Sequence, residues 1–153
     1  GAMTGAITTN STFDGVDIAT RDAVVTSTTT TANAALPKAG GTMTGSAHGS
    51  TDTDTSNTGS VTLNFTTNQN FVLTLTGNVT LANPTTETVG QSGFITFIQD
   101  GTGSRTVALG TDYETAGAAG LTLTSTASAT DIVPYVVVAS GRILLGTPQL
   151  AFA

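Results

Sequence analysis

The stretch FVLTLTGNVTLA at residues 71–82 decides the fold that this sequence predicts. Large apolar side chains at 71, 73 and 75 alternate with smaller or polar ones, which is the period of a strand with one buried face. Gly77-Asn78 tolerates positive φ angles, so the stretch predicts a hairpin of two strands. The preceding VTLNF at 61–65 shows the same alternation and predicts another strand.

Further short strands follow toward the C-terminus. The patterns predict them at 93–99, 105–109, 121–124, 132–139 and 142–146. Many short strands separated by glycine-rich turns are typical of a sandwich or barrel, so residues 61–153 are predicted to form an all-β knob resembling a β-sandwich or jelly roll. Pro134 favours an edge position or a bulge. Val136 to Val138 lack alternation, which predicts burial on both faces and makes Val137 a candidate subunit contact.

Composition excludes several classes of function. Only 9% of the 153 residues are charged, 35 are threonine, and the net charge is -6. A negative chain repels phosphate groups, so nucleic acid is not expected as a partner. No apolar run is long enough for membrane insertion. There is no cysteine, and no cofactor or metal is expected. The lone His48, near Asp52 and Asp54, is interpreted as a solvated linker residue.

The N-terminal part lacks the means to build its own core. Residues 4–46 carry few large apolar side chains and are predicted to be a shaft that is either disordered or wound with copies of itself. Ile18 and Val25 are seven residues apart, a spacing that suggests a short coiled coil, whereas the threonine run 28–31 disfavours helix. Ile18, Val25 and Leu36 are the candidate trimer contacts of this segment. Residues 47–60 predict a solvated linker, and 1–3 are interpreted as an expression scar left by protease cleavage.

Several motifs resemble bacteriophage tail-fibre and related virion fibre proteins. The junction LPKAGGTMTG at 36–45 and the opening FDGVDI at 13–18 are similar to the shaft segments that precede knobs in those fibres. The C-terminal half adds GNVTL at 77–81, QDGTGSRTV at 99–107 and GRILL at 141–145, which are similar to their β-structured ends. The resemblance covers most of the chain.

The resemblance implies a parallel homotrimer in the virion, assembled in the bacterial cytoplasm. Its shaft would join other virion proteins at the N-terminal end, and its knob would attach to a glycan or protein of the host surface. Two alternatives stay open at this point. One is a purely structural head fibre or connector without receptor binding, and the other is a fragment of a polysaccharide depolymerase.

Candidate receptor contacts are Asp112, Tyr113 and Tyr135, of which the first two begin a turn-rich loop at 112–120. Asp112 and Glu114 also have the i, i+2 spacing that would place two carboxylates on one face of a strand, as glycoside hydrolysis would require. The chain has no tryptophan for stacking a sugar, so solvated loop acids are the preferred interpretation. The sequence therefore predicts a non-enzymatic adhesion protein.

Overall fold

The structure is a computed structural model that describes residues 18–34 and 45–152. The chain divides into two compact units, residues 1–47 and 48–153. The first contains helix α1, Ile18–Ala34, so the helical alternative for this segment holds. Two threonine hydroxyls help to accommodate the threonine run, because Thr28 and Thr30 each donate to the carbonyl oxygen four residues earlier, at 2.8 and 3.0 Å.

Of the predicted shaft contacts, Val25 lies on α1 with 54% of its surface exposed. The side chain of Ile18 and the whole of Leu36 lie outside the described residues. No helix within 18–34 and 45–152 combines the length and apolar character needed to cross a membrane.

The second unit is built from strands, which confirms the all-β prediction. They are β1 Thr51–Thr62, β2 Asn70–Ala82, β3 Ser92–Gln99, β4 Val107–Leu109, β5 Tyr113–Thr115, β6 Thr130–Ala139, β7 Arg142–Leu145 and β8 Gln149–Phe152, with a 3₁₀ turn at Ala116–Ala118.

The strands hydrogen-bond into one mixed sheet in the order β1-β2-β3-β6-β7-β5, with β4 beside β2 and β8 beside β6. Four of the seven pairings in the described sheet are parallel: β1 with β2, β2 with β3, β2 with β4, and β5 with β7. The expected sandwich or jelly roll would instead pair neighbouring strands antiparallel in two sheets. Here connections carry the chain back to the same end of the sheet after β1 and after β2, so β1, β2 and β3 run in the same direction.

The predicted linker is corrected over most of its length, because residues 51–60 belong to β1. Val61 is the single large apolar residue of this strand, which pairs with β2 along its length. Asn57, 2% exposed, replaces an apolar side chain on its inner face. Its amide nitrogen donates to the carbonyl oxygens of Asp54 at 3.1 Å and Thr74 at 3.2 Å, which satisfies the buried group.

The predicted hairpin at Gly77-Asn78 is wrong, because β2 runs through both residues without turning back. The glycine serves a close approach between strands. A Cβ on Gly77 would overlap the side chain of Thr58 on β1. Asn78 accepts a hydrogen bond from the amide of Thr106 at 3.1 Å and so helps to fix the connection into β4.

The core lies on the inner face of the sheet. Period-2 alternation places Phe71, Leu73 and Leu75 of β2 there, each at most 2% exposed. On β6 the same alternation buries Val133, Tyr135 and Val137 and turns Val136 and Val138 outward. The prediction of Val137 as a trimer contact is therefore wrong, since this side chain is 1% exposed within a single chain.

Pro134 lies inside the sheet and not on an outer strand, because β6 has β3 on one side and β7 and β8 on the other. On that second side, β7 pairs with 135–139 and β8 with 130–132, so Pro134 falls where the partner changes. Its carbonyl oxygen accepts from the amide of Gly146 at 2.8 Å. The β6–β7 ladder ends at Tyr135, next to the proline that cannot donate an amide hydrogen.

The loop after β3 is organised by an ion pair. The Arg105 guanidinium donates to the Asp100 carboxylate at 2.8 Å, and the amides of Thr102 and Gly103 donate to its other oxygen at 3.0 and 2.9 Å. Arg105 and these amides lower the pKa of Asp100 to about 2.

We expect the charged Asp100 carboxylate to increase the free energy of unfolding. This contribution depends on pH, and Asp100→Asn should remove it. The folded pKa lies below the unfolded value of about 3.9, so the contribution is complete above roughly pH 4 and is lost as the pH falls toward 2. Thermal melts of both proteins between pH 6 and pH 2 check this. The wild type should melt higher near pH 6, and the gap should close by pH 2; a gap that is constant across the range would contradict it.

Candidate functional site

The two tyrosines predicted for receptor contact lie in the core. Tyr113 is 5% exposed and Tyr135 is 4% exposed. The ring of Tyr135 meets that of Phe65 edge-on, with centroids 5.3 Å apart, and its hydroxyl donates to the backbone oxygen of Gln69 at 2.7 Å. Burial raises the pKa of Tyr135 to about 12. Both rings therefore present little surface to a host molecule, and their contact with a receptor stays a prediction.

Asp112 is the predicted contact that does lie at the surface, where it is half-buried. Its amide donates to the side-chain oxygen of Asn83 at 3.1 Å, and its carbonyl oxygen accepts from the amide of Ile143 at 2.7 Å. The Asn83 amide nitrogen also donates to the Thr111 hydroxyl at 2.7 Å. Asn83, which sequence reasoning did not single out, thus fixes the start of the loop. Burial, and then the charges of Asp112 and Glu87, raise the pKa of the neighbouring Tyr113.

An open groove runs beside this loop, and we call it the 107–121 groove. Its volume is about 690 Å³, and its lining comes from β4, from β5 and from the 3₁₀ turn that follows. Tyr113 and Val107 contribute apolar lining, whereas Thr111, Glu114 and Thr115 bring hydroxyl and carboxylate groups. The predicted loop 112–120 therefore forms part of a concave surface, although its tyrosine lies mostly below that surface.

The Glu114 carboxylate in this groove is engaged by Arg142 of β7. The guanidinium nitrogens donate to its two oxygens at 2.8 and 3.0 Å, in a paired geometry. The hydrogen bonds from Arg142 lower the pKa of Glu114. A general acid for glycoside hydrolysis needs a raised pKa, so Glu114 is poorly suited to donate a proton to a leaving group. The i, i+2 carboxylates are better explained as a loop acid and an ion-pair partner.

A second surface was missed by the sequence interpretation. The outward side chains of β2, β3 and β6 form a broad face, which we call the uncharged face. Its members are Asn70, Val72, Thr74, Thr76, Ser92, Phe94, Thr96, Ile98, Thr130, Ile132, Pro134, Val136 and Val138. Phe94 is 53% exposed, and Val136 and Val138 are 37% and 38% exposed. The sequence did not indicate this face, because the valines 136–138 show no alternation of residue type and were expected to be buried on both sides, whereas the strand turns Val136 and Val138 outward.

The uncharged face also has a shallow groove of about 700 Å³. Phe94 and Pro134 lie opposite each other across β3 and β6, and Val72, Thr96 and Ile132 form a neighbouring row. Hydrogen bonds tie the polar end of the groove into the fold: the Gln69 side-chain amide donates to the carbonyl oxygen of Ser92 at 2.8 Å. The surface is thus built on regular strands.

Most of the second unit matches a known family. A family model described as "Putative phage tail fibre C-terminal domain" matches residues 53–142. The matched segment covers more than half of the chain and extends from β1 to the first residue of β7. No curated protein and no solved structure matches the chain.

Proposed function

This chain belongs to the family of phage tail fibre C-terminal domains, and from that premise we propose that it attaches the virion to the surface of a bacterial host. As a tail fibre protein it is a structural component of the virion. The proposal adds that the fibre is a homotrimer, that its N-terminal segment joins other virion proteins, and that its β-structured unit recognises a host glycan or protein.

The observation that carries the attachment proposal is the 107–121 groove. Receptor sites combine a concave shape with a few well-placed polar groups. Here the Thr111 and Thr115 hydroxyls and the Glu114 carboxylate lie along apolar lining from Val107 and Leu121. Such hydroxyls suit the many hydrogen bonds offered by a carbohydrate-rich surface.

A binding role is favoured over polysaccharide cleavage by the state of the carboxylates. Arg142 holds Glu114 in its charged form through two hydrogen bonds. Substrate cleavage would require one carboxyl group to keep its proton near neutral pH. The groove therefore offers recognition groups without a suitable proton donor at Glu114.

Assembly would compensate for weak individual contacts. A single open groove with three or four polar groups binds weakly, but three copies per fibre convert later contacts into intramolecular ones. Avidity can then exceed the single-site affinity by a factor of about 10²–10⁴. A homotrimer therefore fits the open site of each chain.

Filling the groove tests the attachment proposal. Ala108 is exposed on β4 and lines the groove, so Ala108→Trp should obstruct it without removing a hydrogen-bonding side chain. We expect binding of the fluorescently labelled protein to a panel of bacterial strains and to a glycan array to fall at least tenfold. Ser60→Trp is the matched control, because Ser60 is exposed on β1 and does not line this groove.

Equal binding by the Ala108→Trp and Ser60→Trp proteins would reject the groove as the site. A wild-type protein that binds neither cells nor glycans would reject attachment altogether and would favour the structural connector. Shortening of capsular polysaccharide during incubation would instead support the depolymerase.

A further inference from the structure

The uncharged face contrasts with the charge of the unit that carries it. Between residues 45 and 152 there are seven acidic side chains and two arginines, a formal net charge of -5. None of these nine residues belongs to the uncharged face. The outward charges on β5 and β7 are Glu114 and Arg142, which neutralise each other as an ion pair.

A sheet face that stays in contact with water normally carries polar and charged side chains. The uncharged face instead presents Phe94, Val136 and Val138 as exposed apolar side chains. Val72, Ile98, Ile132 and Pro134 are further half-buried members of the same face. Contiguous apolar surface of this kind marks an interaction site, and absence of charge with aromatic enrichment is typical of the centre of an interface.

We propose that the uncharged face is covered by other copies of this chain, so that three such faces meet around the axis of the fibre. This rests on the homotrimer of the proposed function and names the surface that forms it. In a closed ring, every chain must use the same surfaces. Three units of charge -5 repel one another, and they can pack closely only where no acidic groups are brought together.

The identity of the partner follows from the same charge distribution. A different, basic partner would need acidic groups at the centre of the contact, and the face has none. A second and third copy of this acidic chain need an apolar contact surface that carries no charge. The face meets this requirement, because Phe94 and Val136 project from it as exposed apolar side chains and none of its members is charged.

Two variants and a labelling measurement test the proposal. Val136→Glu places a charge in the face, whereas the matched control Val89→Glu makes the same change at an exposed valine, 63% exposed, in the connection before β3. Light scattering should give the wild type and Val89→Glu a mass close to three times 15.2 kDa. We expect Val136→Glu to shift to the mass of one chain while its far-ultraviolet circular dichroism remains that of a β protein.

Thiol labelling keeps the test decisive if Val136→Glu fails to fold. The chain contains no cysteine, so Phe94→Cys and Val89→Cys each introduce a unique thiol. Both positions are exposed in a single chain, but only Phe94 would be buried in the proposed interface. We expect maleimide to react with Phe94→Cys at least tenfold more slowly than with Val89→Cys in the assembled protein.

Each remaining outcome counts against the proposal in a recognisable way. A trimer that survives Val136→Glu and is labelled equally fast at both positions would show that the face is free, for instance for a receptor. The homotrimer would then stand while this interface would be rejected. A wild-type protein with the mass of one chain would reject the homotrimer and the interface together.

Discussion

Replacing Asp131 by alanine should lower the free energy of unfolding by about 3–4 kcal/mol. Asp131 is 2% exposed on β6 and accepts three hydrogen bonds. They come from the amide and hydroxyl of Thr124, at 2.6 and 2.8 Å, and from the amide of Ala151 at 2.8 Å. Alanine would leave these donors without their acceptor in a buried place. The carboxylate thereby ties both the 121–124 segment and β8 to the sheet.

Chemical denaturation at one fixed protein concentration measures the loss. Asp112→Ala is the matched control, because its half-buried carboxylate has only a long contact of 3.5 Å to Thr111 and should change the unfolding free energy by less than about 0.5 kcal/mol. Hydrogen exchange should also show faster exchange at the Thr124 and Ala151 amides in Asp131→Ala. Equal losses in the two variants, with unchanged exchange, would contradict the role assigned to Asp131.

Gly93→Ala should destabilise the fold by about 3 kcal/mol, although it adds a single methyl group. A Cβ at this position would overlap the backbone oxygen of Gln69 and would lie 3.1 Å from Cε1 of Tyr135. The same Gln69 oxygen accepts the Tyr135 hydroxyl at 2.7 Å. Because the overlapped atom belongs to the backbone, the strand and the loop must separate to admit the methyl group. The hydrogen bond and the ring packing of Tyr135 would weaken with it.

Thermal unfolding compares this variant with Gly101→Ala. A methyl group added to Gly101 would meet no heavy atom within 4 Å, and this glycine does not have positive φ, so its replacement should leave the melting temperature almost unchanged. A Gly93→Ala protein as stable as Gly101→Ala would show that the loop before β2 can yield. The close contact between Gly93 and the backbone oxygen of Gln69 would then contribute little to the free energy of unfolding.

The strand-rich character of the second unit followed from the sequence because period-2 alternation is a local property. It placed Leu73 and Leu75 on the buried side of β2. Pairing direction is not local. The dipeptide Gly77-Asn78 is compatible with a tight turn and also with a strand that lies very close to its neighbour. The second alternative is recognised only from the structure, where the Thr58 side chain on β1 occupies the space of a Cβ at Gly77. The strand over 51–60 escaped detection because its single buried side chain is Asn57, whose amide is satisfied by backbone oxygens.

The surface residues were harder to predict for a related reason. Tyr113 and Tyr135 are candidate receptor contacts by sequence, but only the packing shows that both rings lie in the core. In the run Val136 to Val138, neither composition nor period says which valine points inward. Once Val137 is assigned to the core, the alternation leaves Val136 and Val138 outside. The turn-rich character of the loop 112–120 was predicted from its glycines, but the groove beside it was not.

The parallel pairing of β1, β2 and β3 has a consequence for how the chain folds. Thr51 pairs with Asn70 and Phe71 with Ile95 in parallel ladders, so the joined residues are 19 and 24 positions apart. Large loops must close before these ladders repay the lost chain entropy, which slows folding to about milliseconds or seconds. During that interval unsatisfied strand edges are open to the wrong neighbour. The yield of correctly folded protein should therefore fall as the concentration of newly made chains rises.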